Sequence, residues 1–223
     1  MKRVLLGLAV FAAVLVPHQG LHAATTIQPG DEMLSSVGGC TLGFAATSGT
    51  ATYFMTAAHC VDKVGENIEL GDGTVFGDVA VIGNAGNTAT DWALIKVRSS
   101  YVSRVKGTVR GLPGTPSGYT TAGETALGDT LRFSGYGIPW FLAAQTRETR
   151  YGVHVSDDAA TYTAIGMDTN GDSGGPIIHE ATGQAYGLVS RLCIGACTSE
   201  GPTVQGIRSK AAAKGYSLTL KTG

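Results

Sequence analysis

The stretch Gly171-Asp172-Ser173-Gly174-Gly175-Pro176-Ile177-Ile178 separates two possible folds. Its first five residues satisfy the G-x-S-x-G pattern of a sharp turn that leads from a strand into a helix, with an acid and then a histidine following downstream. Neither condition holds here. Pro176-Ile177-Ile178 reads as strand, and the one histidine after Ser173 is His179, with both remaining carboxylates, Glu180 and Glu200, lying beyond it. A glycine-framed serine that runs into a strand fits an all-β chain.

The rest of the sequence agrees. Short β-branched and aromatic runs alternate with Gly, Asn, Asp and Ser clusters at roughly the 8 to 12 residue spacing of all-β proteins, and predict strands over 40–46, 51–56, 74–82, 92–97, 130–133, 160–165, 176–179 and 185–190. Helical periodicity is nearly absent. Residues 207–215, with Lys210, Ala211, Ala212, Ala213 and Lys214, form the exception and end at Gly215, which suits a C-cap. Breakers collect in Gly111-Leu112-Pro113-Gly114-Thr115-Pro116-Ser117-Gly118 between two strand-rich halves, so the chain is expected to divide there, into 24–112 and 119–223.

At the amino end Lys2 and Arg3 precede an apolar run from Val4 to Val16, then Pro17 and small residues up to Ala23 and Ala24. Such a run rises only about 20 Å as a helix, short of the hydrocarbon thickness of roughly 30 Å, so residues 1–23 read as a removable secretory signal and not as an anchor. The exported chain is expected to be extracellular, monomeric and without membrane attachment. With 16 basic and 17 acidic residues the net charge is −1, which offers nucleic acid or an acidic membrane no electrostatic footing. An oxidising destination makes the even set Cys40, Cys60, Cys193 and Cys197 a disulfide framework, with a metal cluster as the minor alternative. Pairing Cys40 with Cys60 and Cys193 with Cys197 joins neighbours in sequence across turn-rich segments. No metal or other cofactor is expected.

Two further segments carry chemistry beside the first: Thr56-Ala57-Ala58-His59-Cys60 and Asp91-Trp92-Ala93-Leu94-Ile95. A serine hydroxyl is a poor nucleophile near neutral pH; it needs a base within hydrogen-bond reach, and the base needs its tautomer fixed by a buried acceptor. Ser173, His59 and Asp91 supply the three parts. Singly each has a plain structural reading, as a turn serine, a packed histidine and a strand-edge aspartate.

The three segments together, in the order His, Asp, Ser on a β-rich exported chain, resemble the chymotrypsin-like serine peptidases, and within them the small bacterial secreted enzymes of the streptogrisin kind through Cys40-Thr41-Leu42-Gly43-Phe44 and Tyr53-Phe54-Met55-Thr56-Ala57. That order differs from subtilisin and from the lipases and esterases of the α/β-hydrolase fold. The resemblance covers nearly the whole exported chain. It implies two Greek-key β-barrels with a short C-terminal helix, and a peptide or protein substrate cleaved by Ser173 with His59 as base and Asp91 as its support. It also implies an oxyanion hole made by the N–H groups of Gly171 and Ser173. Ser190 matches the residue on the substrate-binding strand, while Met167 and Leu192 fall on the specificity pocket. Asp172 is implied to be structural, buried against a cation; Arg132, the nearest basic residue before Ser134-Gly135, is one step out of phase for that role. A binding module that has kept the fold without catalysis is the competing reading.

The chain also departs from the pattern. It has no Arg-Ile-Val-Gly-Gly activation sequence and no long pro-region before Ile27, so it either folds unaided or uses residues 24–26 as a short clip. Met167, with Asp168 next, stands where trypsin-like members carry an aspartate. This points away from a classical Lys/Arg preference and toward small or medium apolar side chains. His154 and His179 read as sheet residues, with a role for His154 in binding an acidic side chain as the lesser alternative.

Overall fold

The computed structural model describes residues 26–137, 149–166, 168–191 and 198–222. The leader, Met167, Leu192, Cys193 and Cys197 lie outside these residues. Among the described residues no helix is long and apolar enough to cross a membrane.

Eight strands build the first sheet: β1 (Glu32–Ser35), β2 (Gly38–Thr41), β3 (Ala45–Ser48), β4 (Ala51–Thr56), β5 (Asn67–Leu70), β6 (Val75–Ile82), β7 (Ala93–Val97) and, from the far end of the chain, β14 (Thr219–Leu220). Their order is β14-β3-β4-β7-β6-β5-β1-β2 and every pairing is antiparallel. β4 and β7 are apolar almost throughout because both of their faces are covered. Phe54 and Ile95 point into one cluster with Leu42, Ile68, Phe76 and Val79. Met55 and Leu94 point into another with Trp92, Leu188 and the C-terminal helix.

The second sheet contains β8 (Thr130–Phe133), β9 (Arg150–Asp157), β10 (Thr161–Gly166), β11 (Pro176–His179), β12 (Gln184–Leu188) and β13 (Thr198–Pro202), in the order β12-β11-β8-β9-β10-β13. β8, β9 and β10 form a meander, and β11 returns to lie beside β8, as in a Greek key. A bridge between Gly187 and Thr203 closes the sheet around Leu131, Phe133, Tyr162, Ala164, Ile177, Tyr186 and Val189. The two sheets are the two barrels of the expected fold. Between the barrels, residues 111–118 hold no strand.

Helix α1 (Val204–Ala213) starts earlier than its alanine-rich part suggests. The Thr203 side chain caps it by accepting the Gly206 N–H at 3.0 Å. Gly206 weakens the helical reading of this turn, yet a Cβ there would meet Ala160 Cα at 2.7 Å, so glycine is what lets α1 approach the second barrel. At the other end Gly215, with φ +91, ends the helix as expected. The strand expected over 40–46 is broken in two at Leu42-Gly43-Phe44. A side chain at Gly43 would strike the Gly174 carbonyl and the Leu188 side chain, both at 2.7 Å, because the barrels meet there.

Candidate active site

His59 and Asp91 are 32 residues apart and meet because β4 and β7 are neighbours. Thr56 at the end of β4 lies opposite Ala93 at the start of β7. The turn 58–60 that follows Thr56 and the turn 88–90 that precedes Asp91 therefore emerge side by side at one end of the sheet. His59 Nδ1 lies 2.8 Å from Asp91 Oδ2, and the His59 backbone N–H donates to Oδ1 at 3.0 Å. The Asp91 side chain is 1% exposed, and that of His59 36%. A third donor arrives from the other barrel, as the Ser190 hydroxyl bonds to Asp91 Oδ2. Burial alone raises the Asp91 carboxyl. The hydrogen bonds from the His59 ring and Ser190, the nearby imidazole charge and the His59 N–H outweigh it and hold the carboxyl below its ordinary value of 3.8. Ser190, expected on the substrate strand, is thus also a direct support of Asp91.

Ser173 sits half-buried on the loop between β10 and β11. Gly171 takes φ +99 and Gly174 φ +84, backbone that L side chains rarely adopt. Asp172 between them is 1% exposed. Its cation is Arg150, which begins β9 and bonds to Oδ1; the Gly137 N–H adds a bond to the same oxygen at 2.8 Å, and the Thr169 N–H donates to Oδ2 at 2.6 Å. Arg132 instead pairs with Glu180. Arg150 stands opposite Phe133 in the β8–β9 pairing, so the charge expected near Ser134-Gly135 comes from the partner strand.

Several contacts lock this loop to the first barrel. The Thr41 N–H donates to the Ser173 carbonyl at 2.9 Å, and the Thr41 hydroxyl donates to the Gly171 carbonyl at 2.7 Å. The Cys40–Cys60 disulfide, formed as expected, places Cys60 Sγ 3.6 Å from the Ser173 carbonyl oxygen. A Cβ on Gly174 would come within 2.2 Å of Thr56 Oγ1. The loop carrying Ser173 is therefore wedged directly against the strand end that delivers His59.

Other titratable groups fall away from this point. His154 is 3% exposed, its Nδ1 faces the Ala126 carbonyl at 2.9 Å, and its Nε2 is 3.5 Å from Asp157. His179 lies between Asp129 at 3.0 Å and Thr182 at 3.1 Å. Asp168 accepts from Ser199 at 2.7 Å while its other oxygen is buried without a partner, and burial raises its carboxyl despite that bond. Among the described residues, Cys40, His59 and Cys60 gather ligand-type atoms within 4.8 Å of one another. They do not form a metal site, because both sulfurs are joined in the disulfide and neither is available as a thiolate.

A two-barrel body in which a glycine-framed serine loop is wedged against the strand end that leads to a histidine–aspartate pair is the architecture of a serine endopeptidase. The chain belongs to the trypsin family, whose model matches residues 38–213. Among solved structures it resembles Thermobifida fusca protease A, at 22% identity and a TM-score of 0.66, over 89% of this chain and 100% of that one. It also resembles the Nocardiopsis protease, at 23% identity and a TM-score of 0.62, over 88% and 100%. A third likeness is to a serine protease described as glutamic acid specific and as using a histidine triad in substrate binding, at 21% identity and a TM-score of 0.66, over 87% and 100%.

Proposed function

We propose that the protein is exported and cleaves peptide bonds through an acyl-enzyme, with Ser173 as nucleophile, His59 as general base and then acid, and Asp91 as the buried acceptor that orients the imidazole. The observation that carries this reading is the 2.8 Å approach of His59 Nδ1 to Asp91 Oδ2. With its Nδ1 hydrogen directed at the carboxylate, the ring keeps Nε2 for the proton of the Ser173 hydroxyl. Ser173 Oγ attacks the scissile carbonyl carbon, and the oxyanion that forms is received by the N–H groups of Gly171 and Ser173. As the C–N bond breaks, the proton held by His59 passes to the leaving amine. Water then repeats the sequence on the ester and frees Ser173.

The division into 24–112 and 119–223 belongs to the same reading, since one unit then carries the base and its support and the other the nucleophile. For the residue on the acyl side of the cleaved bond we propose a small or medium apolar side chain. The histidine triad of the glutamic acid specific relative suggests an acidic alternative, but His154 and His179 each already face a carboxylate, Asp157 and Asp129. A third carboxylate would meet repulsion there.

The test is Ser173→Ala beside the wild type, with a fluorophosphonate label and a mixed peptide library read by mass spectrometry. Wild-type labelling and cleavage are expected, with turnover in the variant reduced by a factor on the order of 10⁶. Undiminished cleavage by a folded Ser173→Ala would overturn the assignment, and cut sites dominated by Glu would overturn the apolar preference.

A further inference from the structure

Thr41 lies at the end of β2, in the barrel opposite the one that carries Ser173, and it is fully buried. Its N–H donates to the carbonyl of Ser173 at 2.9 Å. Its hydroxyl donates to the carbonyl of Gly171 at 2.7 Å and accepts the N–H of Tyr136 at 2.9 Å. A hydroxyl has one hydrogen, so the donation goes to Gly171 and the lone pair to Tyr136. Thr41 is itself held, for its carbonyl accepts from the Thr56 hydroxyl at 3.2 Å.

One residue therefore grips the carbonyls of both Gly171 and Ser173. This matters most at Gly171, where φ +99 demands glycine, and glycine leaves its own two dihedrals unrestrained. On one side its Cα packs toward Gly137, whose Cα lies 3.2 Å from the position a Cβ would take. On the other side its carbonyl is fixed by Thr41. A carbonyl shares its peptide plane with the N–H of the next residue, so Thr41 holds the Gly171–Asp172 and Ser173–Gly174 planes, and the plane between them, which carries the Ser173 N–H, is bracketed on both sides.

We propose that Thr41 is the positioning residue of the oxyanion hole, holding through their carbonyls the two peptide planes that flank the Ser173 N–H, the first of which also adjoins the Cα of Gly171. The inference rests on the assignment of the Gly171 and Ser173 N–H groups under the proposed function. Preorganised donors count because they need no reorientation as charge develops on the reacting oxygen. A hydroxyl acting this way affects the charged tetrahedral state more than the bound substrate.

The test compares Thr41→Val, which keeps the shape and removes the hydroxyl, with Thr41→Ser, which keeps the hydroxyl and removes the methyl. Losing a direct hole donor costs about 10² to 10³ in kcat, so losing its support is expected to lower kcat of Thr41→Val about tenfold. KM should stay within about twofold, since the contact matters only in the transition state. Affinity for a peptide boronate, whose tetrahedral adduct places an oxygen in the hole, should fall by a similar factor, and Thr41→Ser should restore both. If Thr41→Val fails to accumulate as folded protein, Thr41→Ala is read by the same three measurements. Wild-type kcat and boronate affinity in the hydroxyl-free variant would overturn the inference alone. So would equal impairment of Thr41→Ser, which would assign the effect to methyl packing. A folded wild type that neither labels nor cleaves would overturn the proposed function first and this inference with it.

Discussion

In the first barrel the interior is built from aliphatic and phenylalanine side chains, among them Leu42, Phe54, Ile68, Phe76, Val79 and Ile95. In the second, Tyr186 has ring contacts with Tyr162, His154 and His179 at centroid distances of 5.4, 5.9 and 6.4 Å. The loop leading to Ser173 adds two carboxyl groups, the half-buried Asp168 and the buried Asp172. Burial pushes the Tyr162 and Tyr186 hydroxyls well above their ordinary value of 10, with neighbouring carboxylates adding to the rise in both and Tyr186 adding to it at Tyr162. The first barrel keeps its buried carboxylates, Asp31, Glu66 and Asp91, at turns and rim, where backbone N–H groups, Arg110, His59 and Ser190 meet them. The second carries charge in its interior. Mutational fragility and pH dependence should accordingly concentrate in the barrel that carries Ser173.

The largest effect is expected from Arg150→Met. It leaves the Asp172 charge buried with N–H donors but no cation, and breaking such a pair costs about 3 to 5 kcal/mol. Urea unfolding should show that loss, and peptide cleavage should disappear with it. Near-native stability would mean that Gly137 and Thr169 suffice, which would break the contrast between the barrels.

Removing the disulfide as Cys40→Ala/Cys60→Ala probes the first barrel by a route that involves no titration. For a sequence separation of 20 the chain-entropy cost is about 3 kcal/mol. The loss should be the same at pH 5 and pH 8, and a strong pH dependence would show that charge matters in this barrel too.

Asp168→Asn should have the smallest effect and the opposite sign. Burial raises the Asp168 carboxyl above 3.8, with Asp172 adding to the rise, while Ser199 and Arg150 oppose it. An acid whose folded value is raised costs stability once the pH exceeds its unfolded value and its ionised form must be buried. The variant should therefore be more stable at neutral pH, by on the order of 1 kcal/mol, with the gap closing as the pH falls through the raised folded value toward 3.8. A melting temperature lower than wild type at pH 7 would mean that the unpartnered oxygen has a use that outweighs its desolvation.

What the sequence made legible was local. The strands over 51–56, 130–133 and 176–179 have the predicted limits, and the turns at Ala58–Cys60 and Thr88–Thr90 bring His59 and Asp91 within hydrogen-bond distance. What escaped depends on register or on the meeting of the barrels. Arg150 reaches Asp172 because β9 pairs with β8, and a spacing rule applied to Arg132 finds the wrong face. The Thr41 hydroxyl gains its place only when β2 meets the Ser173 loop across the barrel boundary, and Ser190 reaches Asp91 across the same boundary. β1, β5 and β14 are short strands whose pairing partners define them more than their composition does. The expectations for Met167, Leu192 and the Cys193–Cys197 pair fall on residues outside those described.

The pairing of β14 with β3 sets a timetable for folding. Thr219 lies opposite Thr47 and Leu220 opposite Ala46, so the edge of the sheet that carries His59 is covered by a strand from beyond the second barrel. Until the second barrel and β14 have been synthesised, β3 keeps an open row of backbone donors and acceptors, the kind of edge that pairs with other chains. Contacts between residues so distant in sequence form slowly. Trimming the tail before Thr219 should consequently slow refolding and promote association before it alters the chemistry at Ser173.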